Sequence, residues 1–480
     1  MNSLCMLTKP LASGGNGRVE GRQPGTYQNG YLRAHQLRLG FVHKLCRLHL
    51  RWQEDVNCRL ARYQRPPQMK ANRRMKTLDL LCIGSCLAVP MACSHNEEAV
   101  SSQSTNPPVE KNAPNTSYSP AFPGQTRISG ITTAAKYQVR VVTTSLGSPW
   151  GIISLPDGRL LVTEKAGHMR IVTSAGHVSG PIAGIPPVKA SGQGGLMGLC
   201  LDPDFATNRM VYWAFVEALP EGNVTAIAKG RLSDNESTIE RATVIYRAGP
   251  AYAGSLHFGG RIVFDRTGHL LVSTGERSDL ATRPQAQWTS SSLGKIIRIT
   301  KEGQPAPDNP FAGQPGVQPE LYTLGHRNPQ GLAIHPVTGD IWQSEHGPRG
   351  GDELNRLQAG ANYGWPIITY GIEYSGQPVG EGIQQRAGMV QPVYYWDPVV
   401  SPSGMTFYSS GRMAEWQNNL FIGSLSGLHI VRLVIEDNKV TGEERLLANE
   451  QQRFRDVTQG TDGALYAITD QGRLYKIDRE

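Results

Sequence analysis

Residues 156–164 read PDGRLLVTE, and the pattern in this stretch returns five more times before the chain ends. Each copy has a polar turn with Asp or Asn, usually with Gly, and then a short strand. The other copies are 203–215 (PDFATNRMVYWAF), 265–276 (DRTGHLLVSTGE), 336–345 (PVTGDIWQSE), 416–425 (WQNNLFIGSL) and 461–470 (TDGALYAITD). A tight turn before alternating apolar residues is typical of a β-hairpin. Six such units predict an all-β fold, a six-bladed β-propeller.

The segment before the first copy fits the same architecture. Residues 136–144 (KYQVRVVTT) alternate apolar and polar side chains, and we expect them to complete the last blade beside the C-terminal strands. This pairing would close the ring. A two-sheet sandwich is the alternative, but repeats that extend over more than 300 residues disfavour it.

The chain upstream of the propeller divides into three segments. Residues 1–68 show no convincing periodicity, and we interpret them as an unstructured arm or a mis-called upstream extension. Residues 69–93 combine a basic start, an apolar stretch and a small residue before Cys93, which is the layout of a lipoprotein-type export signal. Residues 94–135 are polar and Pro-rich and predict a flexible tether, which leaves 136–480 for the propeller.

This layout has consequences for location. We expect a periplasmic protein, anchored to the outer membrane through a lipid on Cys93; simple cleavage and release is the alternative. The positions of the cysteines agree with this division of the chain, because six of the seven lie at or before Cys93 and only Cys200 belongs to the propeller. No disulfide can therefore form within the propeller.

The formal charge of +8 is unevenly distributed. Residues 1–93 hold 15 of the 48 basic residues and 4 of the 40 acidic ones, so the rest of the chain carries a net charge of −3. A nucleic-acid-binding function inferred from the overall charge is excluded, because the folded part is mildly acidic.

The stretch 321–374 carries the densest chemistry in the chain. Arg327 and Asn328 precede a proline, which restricts its predecessor to extended geometry and places both side chains at a loop or strand end. The following loop, 345–353 (EHGPRGGDE), combines carboxylates with Gly and Pro. Carboxylates near free backbone carbonyls suit calcium. A solvated glycine-rich turn explains the same residues equally well.

Other polar residues occur at comparable places in different repeats. Gln193 lies among glycines, and His257 stands just before an apolar strand, where a satisfied structural role is the more common one. Arg453 and Arg455 point to one face of a strand. Paired arginines suit a carboxylate-bearing ligand, although an ion pair with a local Asp explains them too.

Seven segments together resemble one known family. They are SPWGI (148–152), GQGGLMGLCLDPDF (192–205), HFGGRIVFD (257–265), LGHRNPQGLA (324–333), EHGPRGGDELN (345–355), NYGWP (362–366) and RFRDV (453–457). They are similar to the soluble aldose sugar dehydrogenases of the glucose/sorbosone dehydrogenase family, which use pyrroloquinoline quinone (PQQ). The resemblance extends from about residue 136 to the end of the chain and implies a six-bladed propeller, in agreement with the repeats.

The resemblance also implies residue roles. His257 corresponds to the catalytic base, and Arg327 would stabilise the negative charge that develops on the quinone. Contacts with PQQ are implied for Gln193, Arg327, Asn328, Tyr374, Arg453 and Arg455. Gly347 and Pro348 correspond to the backbone ligands of the calcium ion that bridges to PQQ, and Glu353 and Tyr363 to a second, structural calcium site.

The implied reaction is the oxidation of an aldose at C1 to an aldonolactone, with hydride transfer to PQQ and an external electron acceptor. One position departs from the family. A lysine that contacts PQQ often follows Ser-Leu in the fifth repeat, whereas Ser424 and Leu425 are followed here by Ser426. Loss of a charged hydrogen bond costs about 1.5–3 kcal/mol, so PQQ would bind less tightly unless a neighbour compensates.

A second class of function remains open. A propeller that has lost PQQ could bind sugar or protein, or could act as a calcium-dependent lactonase. A lactonase needs several carboxylates and amides around one ion, whereas paired Arg453 and Arg455 favour the dehydrogenase. The sugar, the electron acceptor and the choice between monomer and homodimer are left open by the sequence.

Overall fold

The structure is a computed structural model, and it describes residues 106–480. The upstream extension 1–68, the export signal 69–93 with Cys93, and residues 94–105 of the expected tether lie outside the described residues. Within residues 106–480, none of the helices is long and apolar enough to span a membrane.

Six antiparallel sheets form the blades of a propeller, which confirms the predicted fold. Blade 1 contains β2 (Pro149–Ser154), β3 (Leu160–Glu164) and β4 (His168–Val172). Blade 2 contains β5 (Leu196–Leu201), β6 (Met210–Leu219), β7 (Gly222–Leu232) and β8 (Ile239–Arg247). Blade 3 contains β9 (Ile262–Phe264), β10 (Leu270–Thr274), β11 (Lys295–Ile299) and β12 (Leu321–Leu324). Blade 4 contains β13 (Pro329–Ile334), β14 (Ile341–Glu345), β15 (Asp352–Arg356) and β16 (Tyr394–Trp396). Blade 5 contains β17 (Pro402–Phe407), β18 (Leu420–Ser424), β19 (Ile430–Glu436) and β20 (Lys439–Leu446). Blade 6 contains β21 (Phe454–Gln459), β22 (Leu465–Thr469) and β23 (Leu474–Arg479).

The ring closes as the sequence predicts. Strand β1 (Tyr137–Thr143) pairs antiparallel with β23, so the N-terminal strand completes the sixth blade. The first strand of each blade packs against the first strands of its neighbours around the central channel. Between residues 106 and 480, helical structure is limited to one turn at Phe205–Asn208 and the 3-10 segments Arg283–Gln287, Gly411–Trp416 and Ala448–Glu450.

Each of the six sequence repeats covers the turn between the first two strands of a blade and the second strand itself. In blade 1, Gly158 adopts a φ of +88°, and the amide of Leu155 donates to the carbonyl of Arg159 across the turn. Strands β3, β10, β18 and β22 are buried at every residue, because the neighbouring blades cover both of their faces. This burial explains their nearly continuous apolar sequences.

The hydrophobic core is divided among the blade interfaces. Each pair of adjacent blades encloses a separate cluster of buried apolar side chains, from the cluster of blades 1 and 2 around Trp213 to that of blades 6 and 1 around Val162. Face-to-face packing of sheets buries the inner faces of both partners. The channel end of each blade is therefore held rigidly, and the loops at that end have a fixed base.

The expectation of a flexible tether is wrong for residues 106–135. Gln125 is fully buried and donates from Nε2 to the carbonyl of Pro392 at 2.9 Å. Thr133 donates to the carboxylate of Glu444 at 2.7 Å. The polar composition that suggested disorder instead supplies hydrogen-bonding groups that pair with the propeller, so that this segment is held without a core of its own.

Candidate active site

One end of the central channel opens into a cavity of 490 Å³. Eight of the residues singled out from the sequence line it, and they come from blades 2 to 4 and 6. They are Gln193, His257, Arg327, Gly347, Pro348, Tyr374, Arg453 and Arg455. Residues that are distant in the chain therefore converge on one space, whose size is ordinary for a small-molecule site.

His257 is held in a defined position at the wall of this cavity. Its backbone has a φ of +46°, the left-handed region that few non-glycine residues adopt. Its amide donates to Oε1 of Gln193 at 2.9 Å, so the glutamine from blade 2 fixes the loop that carries the histidine. An uncommon backbone conformation that is held from a neighbouring blade indicates a positioned side chain.

Glu276 is the partner of the His257 ring. Its Oε1 lies 2.6 Å from Nδ1 of the imidazole, and its side chain is only 1% exposed. Burial, together with the positive charges of Arg327, Arg277 and Arg283, lowers the pKa of His257 well below its usual range. The lowered pKa favours the neutral imidazole; when Glu276 is ionised, Nδ1–H is the donor to this carboxylate, and Nε2 is left for the cavity.

The carboxyl of Glu276 responds to the same environment. Burial raises its pKa to about 7, although the neighbouring arginines act in the opposite direction. Above pH 7 the carboxylate accepts the Nδ1–H of His257. The amide of Ser278 donates to the same oxygen at 3.0 Å and orients it.

Arg327 lies opposite this pair on the first loop of blade 4. Its Nη1 donates to the carbonyl of Gly347 at 2.7 Å, and its guanidinium lies over the ring of Trp365 at 5.3 Å. Its Nη2 lies 3.5 Å from the hydroxyl of Tyr374, a side chain that is 72% exposed at the cavity mouth. Trp365 and the Gly347 carbonyl thus hold the cationic group at the cavity wall.

Arg453 and Arg455 share a single carboxylate. Asp470 accepts from Nε of Arg453 at 2.9 Å and from Nε of Arg455 at 2.8 Å. Burial raises the pKa of Asp470, but the two arginines outweigh it and hold that pKa below its usual range. Both explanations offered from the sequence are thus compatible: a local ion pair exists, and both arginines still face the cavity.

Lys165 adds a further positive charge to this wall. It lines the cavity, and its Nζ donates to the carbonyl of Gly192 at 2.9 Å. Burial and the neighbouring Arg455 lower its pKa. Ser426, at the position for which the resemblance implies a lysine, forms a hydrogen bond with the hydroxyl of Ser401 at 2.7 Å. Lys165 therefore adds a cation to the wall of the cavity, whereas Ser426 contributes no charge there.

The loop 347–352 is held by one buried acid. Asp352 accepts from the amides of Gly347, Val400 and Ser401 at 2.8, 2.7 and 2.6 Å. Burial raises its pKa to about 7, while these three amides act against the increase. Gly347, Val399 and Ser401 line the cavity, so Asp352 joins two parts of its wall.

Three of the predicted site residues are not among those that line the cavity. Asn328 is fully buried and accepts from the amide of Gly259 at 3.1 Å, a contact that braces the His257 loop. The Tyr363 hydroxyl donates to the carbonyl of Arg356 at 2.7 Å. Their cofactor and metal roles stay predictions, as does that of Glu353.

Glu353 faces a second carboxylate. It pairs across the sheet with Glu345, and both line a cavity of only 10 Å³ beside the main one. Burial and the charge of Glu345 raise the pKa of Glu353 well above its usual range. Two buried acids with space for about one small ion or water would favour a cation or a shared proton. Within residues 106–480, no group of three or more acidic, histidine or cysteine side chains forms a ready metal cluster.

Three residues around the cavity were not singled out from the sequence, namely Glu276, Lys165 and Asp470, whereas Asp352 and His346 belong to the loop 345–353, in which neither had a role of its own. His346 lies at the boundary of the main and the small cavity, and burial and nearby Arg327 keep its pKa far below the usual value. The last residues of the repeats at 265–276 and 461–470 are Glu276 and Asp470. An acid at the end of the second strand was therefore a signal available in the repeat itself.

Comparison with known proteins identifies the family of this chain. The sequence model of the family described as "Glucose / Sorbosone dehydrogenase" matches residues 146–476. This chain belongs to the glucose/sorbosone dehydrogenase family. It is 41% identical to aldose sugar dehydrogenase YliI of Escherichia coli (strain K12) over 348 residues, which cover 72% of this chain and 93% of the relative.

Solved structures of family members share the propeller. A crystal structure of a glucose dehydrogenase superposes with a TM-score of 0.69 at 45% identity, covering 72% of this chain and 99% of the other. The PQQ-bound form of aldose sugar dehydrogenase from Streptomyces coelicolor has a TM-score of 0.60 at 31% identity, covering 73% of this chain and 100% of the other. A sugar dehydrogenase function follows for this chain.

Proposed function

We propose that the protein oxidises aldose sugars at C1 to aldonolactones and depends on PQQ and calcium, with His257 as the general base. The observation that carries this proposal is the position of one side chain at the cavity wall, the His257 imidazole. It is tied to Glu276 at 2.6 Å and shares one cavity with Arg327, Arg453 and Arg455. A base without charge and a cluster of cations in the same space suit the transfer of a proton and of negative charge.

The cavity fits PQQ in charge and size. PQQ carries three carboxylates, and four cationic side chains line the cavity: Lys165, Arg327, Arg453 and Arg455. Asp470 neutralises only part of this charge. Among residues 106–480, Nε of Arg327 and Nε2 of His346 are buried without a protein partner, which suits a ligand rich in oxygen acceptors.

Calcium fits the loop 347–352. Gly347 and Pro348 line the main cavity, and the carbonyl of Gly347 accepts a hydrogen bond from Nη1 of Arg327 at 2.7 Å, which Arg327 would have to release for this carbonyl to bind a cation. Hard cations bind backbone carbonyls and carboxylates, and Gly347 and Pro348 would supply the carbonyls. The acids Glu345 and Glu353 would supply the carboxylates of a second, structural site.

When bound, PQQ would supply the hydride acceptor and calcium the Lewis acid that polarises it. His257 would accept the proton of the anomeric hydroxyl at Nε2, because Nδ1 is occupied by Glu276. Arg327 would stabilise the negative charge that develops on the quinone when the hydride is transferred from the sugar. Tyr374, exposed at the cavity mouth, would contact the sugar and the cofactor from the solvent side.

The test compares the wild-type chain with H257A and H257Q in dye reduction with an aldose, with PQQ and calcium added. Turnover that needs both additions and is lost by about 100-fold or more in both variants, with PQQ still bound, supports the proposal. Full activity of H257A would contradict the assigned base. Absence of any PQQ-induced rise in the melting temperature of the wild type would favour a propeller that has lost its cofactor.

We also propose that the protein is exported and anchored through Cys93. The basic, apolar and small-residue order of 69–93 is the support for this proposal. Mass spectrometry of the mature chain from membranes should find a lipid-modified N-terminal Cys93. An unmodified N-terminus at Ser94 in the soluble fraction would indicate cleavage and release instead.

A further inference from the structure

Residues 106–129, called here the N-terminal strap, pass along the outer edge of blade 4. The amide of Tyr395 in β16 donates to the carbonyl of Gln125 at 2.9 Å, which joins the strap to the last strand of that blade. Tyr370 stacks on Tyr395 at a centroid distance of 4.0 Å, and its hydroxyl donates to Gln125 at 3.1 Å. The strap therefore lies on the surface of the propeller and is fastened to it at Gln125, the one residue of 106–129 that is buried.

Asp397 joins the strap to the segments that carry part of the cavity wall. Its carboxylate accepts four hydrogen bonds from the strap: from the backbone and side-chain nitrogens of Asn115 at 2.8 and 2.9 Å, and from the backbone and hydroxyl of Thr116 at 3.0 Å each. The side chain of Asp397 is 5% exposed. A buried carboxylate that depends on one segment for its donors is costly to leave without it.

The same Asp397 lies against the loop 347–352. A Cβ placed on Gly350 would come within 2.8 Å of Oδ1 of Asp397, so the loop and the carboxylate are in direct contact. The strap also reaches the loop itself, because Nε of Arg349 donates to Oδ1 of Asn115 at 3.2 Å. On the other side, Gly351 donates to the carbonyl of Trp396 at 3.0 Å.

This loop presents Gly347 and Pro348 to the main cavity, and the segment after Asp397 presents Val399 and Ser401 to it. Both parts of the wall are thus connected to the strap through one side chain. The strap itself contributes no residue to the lining of the cavity. Its effect on the site is therefore indirect, through the position of the loop.

We propose that the strap is a positioning element of the cofactor site: through Asn115, Thr116 and Asp397 it holds the loop 347–352 in the geometry that binds calcium and PQQ. Without these contacts, the loop would sample other conformations, and ligands would have to order it on binding. The identity of the ligands rests on the proposed function. Whether the strap orders the loop 347–352 does not depend on the proposed function, and it can be measured in the ligand-free chain.

The experiment uses the full chain with the double substitution N115A/T116V, and N115A alone as a milder variant. The matched control is T133V, which removes a comparable hydroxyl–carboxylate bond, that of Thr133 with Glu444, from the outer strands of blade 5. Exposed Arg349 in the loop is a trypsin site, and Arg386, whose ion pair with Glu381 is exposed, serves as the internal reference.

We expect trypsin to cleave after Arg349 about tenfold faster in N115A/T116V, with cleavage after Arg386 unchanged. Calcium affinity by calorimetry and PQQ affinity by absorbance titration should fall by about tenfold, which corresponds to about 1.4 kcal/mol. N115A should show a smaller change in the same direction, and T133V should match the wild type.

Wild-type cleavage at Arg349 in both strap variants would overturn the inference. So would faster cleavage with unaltered calcium and PQQ affinities, because the loop order would then be irrelevant to binding. If the wild type binds neither ligand, the proposed function fails, and the cleavage rates still decide whether the strap orders the loop.

Discussion

Substituting Glu276 by glutamine should slow catalysis without weakening cofactor binding. Glutamine keeps the shape of the side chain but removes the charge that accepts Nδ1–H of His257 at 2.6 Å. A hydrogen bond to a charged group contributes about 1.5–3 kcal/mol, and each 1.4 kcal/mol is a factor of ten. The expected loss in kcat is therefore about 10- to 100-fold. The amide can also donate to Nδ1, which would place the ring proton on Nε2 and remove the base.

The pH profile provides an independent readout of the same pair. The productive state has an ionised Glu276 and a neutral His257. Because burial raises the pKa of Glu276 to about 7, the pair takes up a proton as the pH falls through this value. In the wild type, kcat/KM should therefore decline below about pH 7. In E276Q this limb should disappear, since glutamine does not titrate.

Steady-state dye reduction at saturating PQQ and calcium measures both effects, and absorbance titration measures PQQ affinity. PQQ affinity should be unchanged, because Glu276 does not line the cavity. E217Q is the matched control: Glu217 accepts from Arg247 at 2.6 Å, but that arginine is 49% exposed, and such surface pairs contribute little. An E276Q variant with wild-type kcat and an unaltered pH profile would refute the role of Glu276 in orienting the base.

Three further predictions follow from individual contacts. K165M should weaken PQQ binding by about tenfold in absorbance titrations, and S426K added to it should restore part of the affinity, because a charge-assisted hydrogen bond is lost and then replaced. G404A should lower the melting temperature strongly, since its Cβ would fall 1.7 Å from Oδ1 of buried Asp456. K295M should lower the free energy of unfolding in urea by several kcal/mol, at about 1–3 kcal/mol for each of three carbonyls that lose their donor.

The contrary outcomes are equally specific. Unchanged PQQ affinity in K165M would show that this lysine does not replace the cation missing at Ser426. A G404A chain as stable as the wild type would mean that Asp456 can move away from its partner Arg261, to which it is bonded at 2.6 Å. Unaltered unfolding of K295M would mean that water or a rearranged loop satisfies the three carbonyls.

Local sequence signals determined the architecture of this protein. The turn of each repeat forms among neighbouring residues, as in blade 1, where the amide of Leu155 bonds to the carbonyl of Arg159. Strand β1 and its partner at the C-terminus were recognisable because alternation is also a local property. Eight of the eleven selected residues line one cavity, and seven of these eight lie within the family motifs, Tyr374 being the exception.

The remaining features depend on contacts between distant parts of the chain, and only the tertiary structure decided them. The acid at position 276 became the partner of His257 because two loops of blade 3 meet at the channel. The sequence left open whether Arg453 and Arg455 pair with a local Asp or face a ligand, and the pairing of β21 with β22 gives them Asp470 while both still line the cavity. The polar strap resembled a disordered tether in composition, because its stability comes from groups such as Asp397, 282 residues away from Asn115 in sequence. The composition of a segment indicates how much apolar surface it can bury by itself. It does not show which groups elsewhere in the fold will bind the segment and order it.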